Sequence, residues 1–165
     1  MAKKLLSDLA EFEIPTVTVR KDDVFDFGDV KITVLREPCC EITEDFHNNS
    51  SIVLKLETEN TDVIFLGDLG VEGGNHLLKT VSADRLKSHY CQMAHHGQDA
   101  VEKDVYDVIR PECCLWCTPT WLWDNIGDGG YNTGIYQTVI VRGWMDELGV
   151  KKHYVMKDGP FIIEL

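Results

Sequence analysis

Leu5, Leu6, Leu9 and Phe12 recur at helical spacing, so the chain is expected to open with a short amphipathic helix over 3–11, stopped before Pro15. Alternating apolar and polar positions then predict strands over 16–20, 30–34 and 51–57. The run 63–66 is apolar at every position, which suits a strand with both faces covered. The turn 59–62 should join it to 51–57 as a hairpin with a four-residue loop. Beyond Asp68 the rhythm changes to helices over 72–81, 100–110 and 137–148, the last ended by Gly149, with strands over 89–94 and 113–117 between them. A final hairpin is expected from 152–156 and 161–164. The stretch 118–136, rich in Trp, Gly and Asn, is a long loop of the kind that carries function in a compact domain. No repeat or linker interrupts this order. The expectation is a single α/β domain over 1–165, a mixed β-sheet flanked by helices.

Charge narrows the partners. Lys and Arg total 16 against 28 for Asp and Glu, a net charge of −12, which argues against a broad phosphate-tracking surface and hence against a long nucleic acid as partner. The composition, 44% hydrophobic and 27% charged, is that of a folded domain, and no apolar run reaches the roughly 18 residues of a membrane span. Asp8 and Glu11 interrupt what would be the apolar core of a secretion signal, so a cytoplasmic location is expected.

That location bears on the cysteines. Without an oxidising compartment the six thiols are expected free. Cys114 and Cys117 have the C-x-x-C spacing of a zinc or redox pair, but they lie in an apolar run read as a buried strand, where their sulfurs would point to opposite faces. Buried structural thiols are the better reading there. Cys39 and Cys40, after Pro38 in a polar loop, are the better candidates for a reactive or metal-picking site.

Three segments place a metal-capable side chain next to a predicted strand. Asp68 follows the strand 63–66, His95 and His96 follow 89–94, and His47 precedes 51–57. Imidazole with carboxylate is a ligand set for Zn, Mn or Fe. His76, His89 and His153 carry no such signal and read as structural. Trp121 and Trp123 could wall an aromatic pocket or pack the loop.

The order and flanks of four segments resemble the metallo-β-lactamase superfamily. They are Asn48-Asn-Ser-Ser-Ile-Val-Leu-Lys-Leu, Val63-Ile-Phe-Leu-Gly-Asp-Leu, Gln92-Met-Ala-His-His-Gly, and Gly149-Val-Lys-Lys-His-Tyr with Lys157-Asp-Gly. The branch most resembled is the hydrolase domain of DNA-uptake competence proteins. The resemblance covers nearly the whole chain but only the C-terminal half of the family's αββα sandwich. It implies metal-assisted hydrolysis of an ester or phosphodiester at a two-metal site, with zinc as the expected ion. Asp68 would be the bridging carboxylate, His47 and His95 ligands, and His96 either a ligand or a catalytic group that orients or protonates. The family's H-x-H-x-D-H string does not occur in this sequence, and the loop after 113–117 lacks the His-Pro of the competence branch. The chain alone is therefore expected to be inactive, a truncated hydrolase portion. Its apolar sheet face would recruit either a second copy, giving a homodimer, or a separately encoded N-terminal half. The alternative is a non-catalytic remnant or assembly module that dimerises through that face.

Overall fold

The structure, a computed structural model, describes residues 2–164. Seven strands form one sheet whose spatial order follows the chain: β1 (Val24–Asp26), β2 (Lys31–Arg36), β3 (Val53–Glu57), β4 (Asp62–Phe65), β5 (Tyr90–Gln92), β6 (Cys113–Trp116) and β7 (Lys152–Val155). From β1 to β4 neighbours run antiparallel, joined by tight turns at β1–β2 and β3–β4 and by the longer 37–52 segment carrying α2 at β2–β3; from β4 to β7 they run parallel, with helices in the crossovers. The class expected from the sequence, a mixed sheet flanked by helices, is the observed one. No helix among the described residues is long and apolar enough to cross a membrane.

The helices are α1 (Ala2–Glu11), α2 (Phe46–Asn49), α3 (Val71–Thr80), α4 (Ala83–Leu86), α5 (Lys103–Ile109), α6 (Thr120–Trp123) and α7 (Thr138–Leu148). Successive parallel strands step in one direction, and crossovers of one hand, the general rule for such units, would deliver their helices to one face of the sheet. Leu77 of α3, Leu86 of α4, Val105 and Ile109 of α5, and Val141 and Met145 of α7 accordingly join Ile64, Cys91, Cys114 and Val155 in one buried cluster. Gly73 permits the close approach of α3, since a Cβ there would run into the Leu69 and Asn49 side chains.

The pleat sends alternate residues to the other face, where register aligns two apolar rows. One runs Val34–Leu54–Phe65–Gln92–Leu115–Tyr154, the other Ile32–Leu56–Val63–Tyr90–Cys113. Val34 and Val63 are buried yet lie outside the helix-covered cluster, and the remaining residues of these rows are only partly buried. Phe161 packs edge-on against Tyr154, with ring centroids 5.3 Å apart.

Several local expectations are corrected. Residues 16–20 form no strand; apart from Val19 they are exposed, and β1 lies instead at 24–26, paired with β2 around the Gly28 turn. The last hairpin is absent, because β7 pairs in parallel with β6 and the chain after Gly159 and Pro160 does not return to the sheet as a strand. His47 sits on the helical turn α2 rather than in an open loop, and the 118–136 loop contains α6. Trp123 is a packing residue: it meets the buried Trp116 edge-on at 5.1 Å and carries the Arg142 guanidinium 4.2 Å above its ring. Trp121 stays half-exposed beside Tyr136.

Candidate functional site

The carboxyl ends of β4, β5 and β6 and the start of β3 lie at one edge of the sheet, and the chemistry-bearing segments leave from there. Two turns are stitched together at this edge. Gln92 Oε1 accepts the Leu66 and Gly67 N–H groups at 3.0 and 2.8 Å, and the His95 N–H donates to the Gly67 carbonyl at 2.9 Å. Ser51, at the mouth of β3, accepts the Asp68 N–H through its Oγ at 3.0 Å. Asp68 is thereby held by hydrogen bonds from two neighbouring strands.

The turn after β5 is unusual. His95 (φ 45°), His96 (φ 62°) and Gly97 (φ 79°) are consecutive left-handed residues. For the two histidines this conformation costs of order 1 kcal/mol each and persists only where the surroundings impose it. They do: a Cβ on Gly97 would run into the Trp116 ring, and Thr118 Oγ1 donates to the His96 carbonyl. The result aims His96 Nε2 at Asp68 Oδ1, 3.7 Å away, with both side chains about half-exposed (46% and 45%). His96 Nδ1 lies 3.0 Å from the Cys117 carbonyl, which can only accept. Nδ1 therefore donates to that carbonyl, which leaves Nε2 as the ring nitrogen facing Asp68, the orientation seen in metal-ligating histidines whose other nitrogen is held by a carbonyl. His95 stands beside it, ring centroids 5.9 Å apart, and His47 is exposed on α2, edge-on to Phe46.

The short helix α2 is tied to the same corner through Asn49. Its buried side chain accepts the Gly73 N–H at 2.7 Å and donates to the Glu44 carbonyl at 2.9 Å, while its own carbonyl takes a hydrogen bond from Arg36 Nη2 at 2.7 Å.

A second donor group lies elsewhere. Cys39, Glu41 and His76 each offer one ligand atom, and these three atoms fall within 4.8 Å of one another; among the described residues this is the group of three or more that does so. Sequence reasoning singled out Cys39 but passed over Glu41 and His76, because nothing in the local pattern relates the 37–45 loop to α3. The clue available was Glu72, one helical turn before His76. Its carboxylate accepts the Thr43 and Glu44 N–H groups at 2.9 and 2.8 Å, pinning the loop to the helix. The Glu44 and Thr43 N–H bonds, helped by the Thr43 hydroxyl, hold the Glu72 carboxyl below its ordinary value against the opposing effect of desolvation.

The remaining histidines and cysteines have structural explanations. His153 Nδ1 accepts from Trp116 Nε1 at 2.9 Å, and burial lowers its pKa. His89 pairs with Asp62, which also meets the buried Lys55 at 2.8 Å. Burial alone would raise the Asp62 pKa, but bonds from Lys55 and His89 bring it below the ordinary value. Cys114 is buried, its thiol pushed up to about 12 by desolvation, whereas Cys117 is exposed beyond the end of β6. The two sulfurs are therefore in different environments, as a structural rather than a redox pair would be.

No family model and no curated protein matches the chain. Among solved structures it is similar to a protein of Thermotoga maritima provisionally assigned as a Zn-dependent hydrolase of the metallo-β-lactamase superfamily. The two are 19% identical, the match covers 59% of this chain and 46% of that one, and the TM-score is 0.37.

Proposed function

We propose that this chain carries one side of a metal-dependent hydrolase site of metallo-β-lactamase type, most like that of the competence-protein branch, and that further donors come from outside the described residues. The observation that carries this reading is the left-handed His95–His96 turn, which spends conformational energy to direct His96 Nε2 at Asp68. Two donors 3.7 Å apart are close to the separation that one zinc ion would bridge, given bond lengths of about 2.0–2.2 Å. The residues thus fit one edge of such a site, with His96 rather than His95 as the inward ligand and with His47 and His95 flanking.

A bound zinc would supply Lewis acidity and an activated water for attack on an ester or phosphodiester. This chain's own part is positional. The Cys117 carbonyl fixes the His96 tautomer, Ser51 Oγ fixes the backbone of Asp68, and Gln92 holds the two turns in register. His95, partly buried beside His96, flanks the position where the reacting group would sit. The test is the ¹⁵N resonance of His96 Nε2 during zinc titration. It should move on addition of metal and stay still in Asp68→Asn; an unmoved resonance in the parent protein overturns the reading. Turnover of a chromogenic phosphodiester by the chain alone should not exceed background.

A second reading, an assembly module without catalysis, is favoured by the two partly buried apolar rows on the face away from the helices. Both readings place a second polypeptide on that face, either another copy of this chain or a protein supplying the H-x-H-x-D-H donors. Sedimentation at micromolar concentration separates them from a solitary domain: self-association supports the homodimer, and a monomer that binds no such partner removes the docking claim.

A further inference from the structure

The 37–45 loop and α3 bring together a thiol, a carboxylate and an imidazole far from one another in sequence, and we propose that Cys39, Glu41 and His76 form a zinc site separate from the Asp68–His96 corner. The donor chemistry selects the ion. A thiolate with an imidazole suits Zn²⁺ or Co²⁺ and disfavours the hard cations Mg²⁺ and Ca²⁺. The charges balance as well, since thiolate and carboxylate together neutralise a divalent ion.

The geometry needs little adjustment. Tetrahedral zinc places its donors roughly 3.5 Å apart, and the three ligand atoms already lie within 4.8 Å. Glu41 is exposed and free to rotate inward, and its own N–H already bonds to Cys39 Sγ at 3.4 Å. The framework is held from both ends. Glu72 clamps Thr43 and Glu44 to α3, Ile42 is buried as an anchor, and Arg36 at the end of β2 is tied to the Asn49 and Ser51 carbonyls.

Independent support comes from His76 itself. Its Nδ1 is buried and nothing among the described residues hydrogen-bonds it, a costly state for an imidazole nitrogen. The site opens onto a depression of about 490 Å³, lined in part by Arg20, Lys21, Arg36, Glu37 and Cys40, with Arg20 paired to Glu37 at 3.3 Å. Three protein ligands leave a fourth position for water or for Cys40.

Cobalt distinguishes this site from the other, because only this one has sulfur. Co²⁺ added to the metal-free protein should give thiolate-to-metal charge-transfer absorption at one equivalent, and zinc should abolish it by displacement. Cys39→Ser should remove the band, and His76→Gln should weaken zinc binding at least roughly tenfold. Asp68→Asn and His96→Gln should leave the band intact. Absence of the band in the parent protein, its survival in Cys39→Ser, or its loss in Asp68→Asn would each overturn the assignment. Should Cys39→Ser fail to fold, alkylation of Cys39 in the parent protein decides: zinc must slow its reaction with iodoacetamide, and a rate unchanged by zinc overturns the site.

Discussion

The two donor clusters of this protein are built on opposite plans. Asp68 and His96 stand at the ends of adjacent parallel strands, each on a tight turn cross-linked to its neighbour, so their meeting follows from strand pairing. Cys39, Glu41 and His76 meet because a loop is pinned across the first turns of a helix by a carboxylate that is not itself a donor. The first plan relies on backbone strain and a packed indole; the second relies on a few exposed hydrogen bonds. A strand-end site should therefore be rigid and intolerant of added bulk, and a clamped-loop site adjustable and sensitive to loss of its clamp.

The largest effect should come from Gly97→Ala. The new methyl would meet the buried Trp116 ring in a backbone conformation that L-residues avoid, costing about 2–4 kcal/mol. Thermal melting should show the loss, and His96 should no longer answer to Asp68 in the zinc titration, while cobalt–thiolate absorption at Cys39 persists. Asn49→Ala should come next, at about 1–3 kcal/mol, because it leaves the buried Gly73 N–H without its acceptor. Asn49 lies between the clusters, so denaturant melts of this variant should be accompanied by weaker metal binding at both. If only one site responds, the clusters are mechanically independent.

Glu72→Gln should loosen the loop alone, weakening zinc at Cys39 several-fold in the cobalt competition without moving the His96 resonance. The same carboxylate sets a pH dependence. Its pKa is lower folded than unfolded, so its contribution is fully present above the unfolded value of about 4.3 and fades as pH falls through the folded value below it. The Thr43 and Glu44 amide resonances should report that transition and lose it in Glu72→Gln. The smallest effect on stability is expected from His96→Gln. Its side chain is half-exposed, and melting should shift by no more than about 0.5 kcal/mol even as the corner loses its metal response. A larger loss would mean that His96 is a structural strut rather than a poised ligand.

How far the amino-acid pattern reached depends on how local the cause was. The α/β class, the 51–66 hairpin, α3, α5 and α7, and the Gly149 stop were legible because periodicity and capping are properties of neighbouring residues. Residues 16–20 alternate like a strand and 161–164 open with three apolar residues, yet neither is a strand, since a strand also needs an edge to pair with. Asp68 and His96 could be found in the sequence because each follows an apolar strand, although their separation, the shared tautomer and the left-handed turn could not. His76 was invisible for a plainer reason: its partners lie more than thirty residues away, joined to it only by packing of a loop on a helix.

The sequence by itself determined the order of elements, the acidic surface and which residues could ligate a metal, since those depend on side-chain chemistry and short-range spacing. Only the tertiary structure decided which of them meet. Strand pairing aligned Asp68 with His96, the crossovers between parallel strands packed the large helices into one buried cluster, and the Glu72 clamp carried Cys39 and Glu41 to His76. Each is a long-range contact whose free energy comes from the assembled whole, not from any stretch of chain read alone.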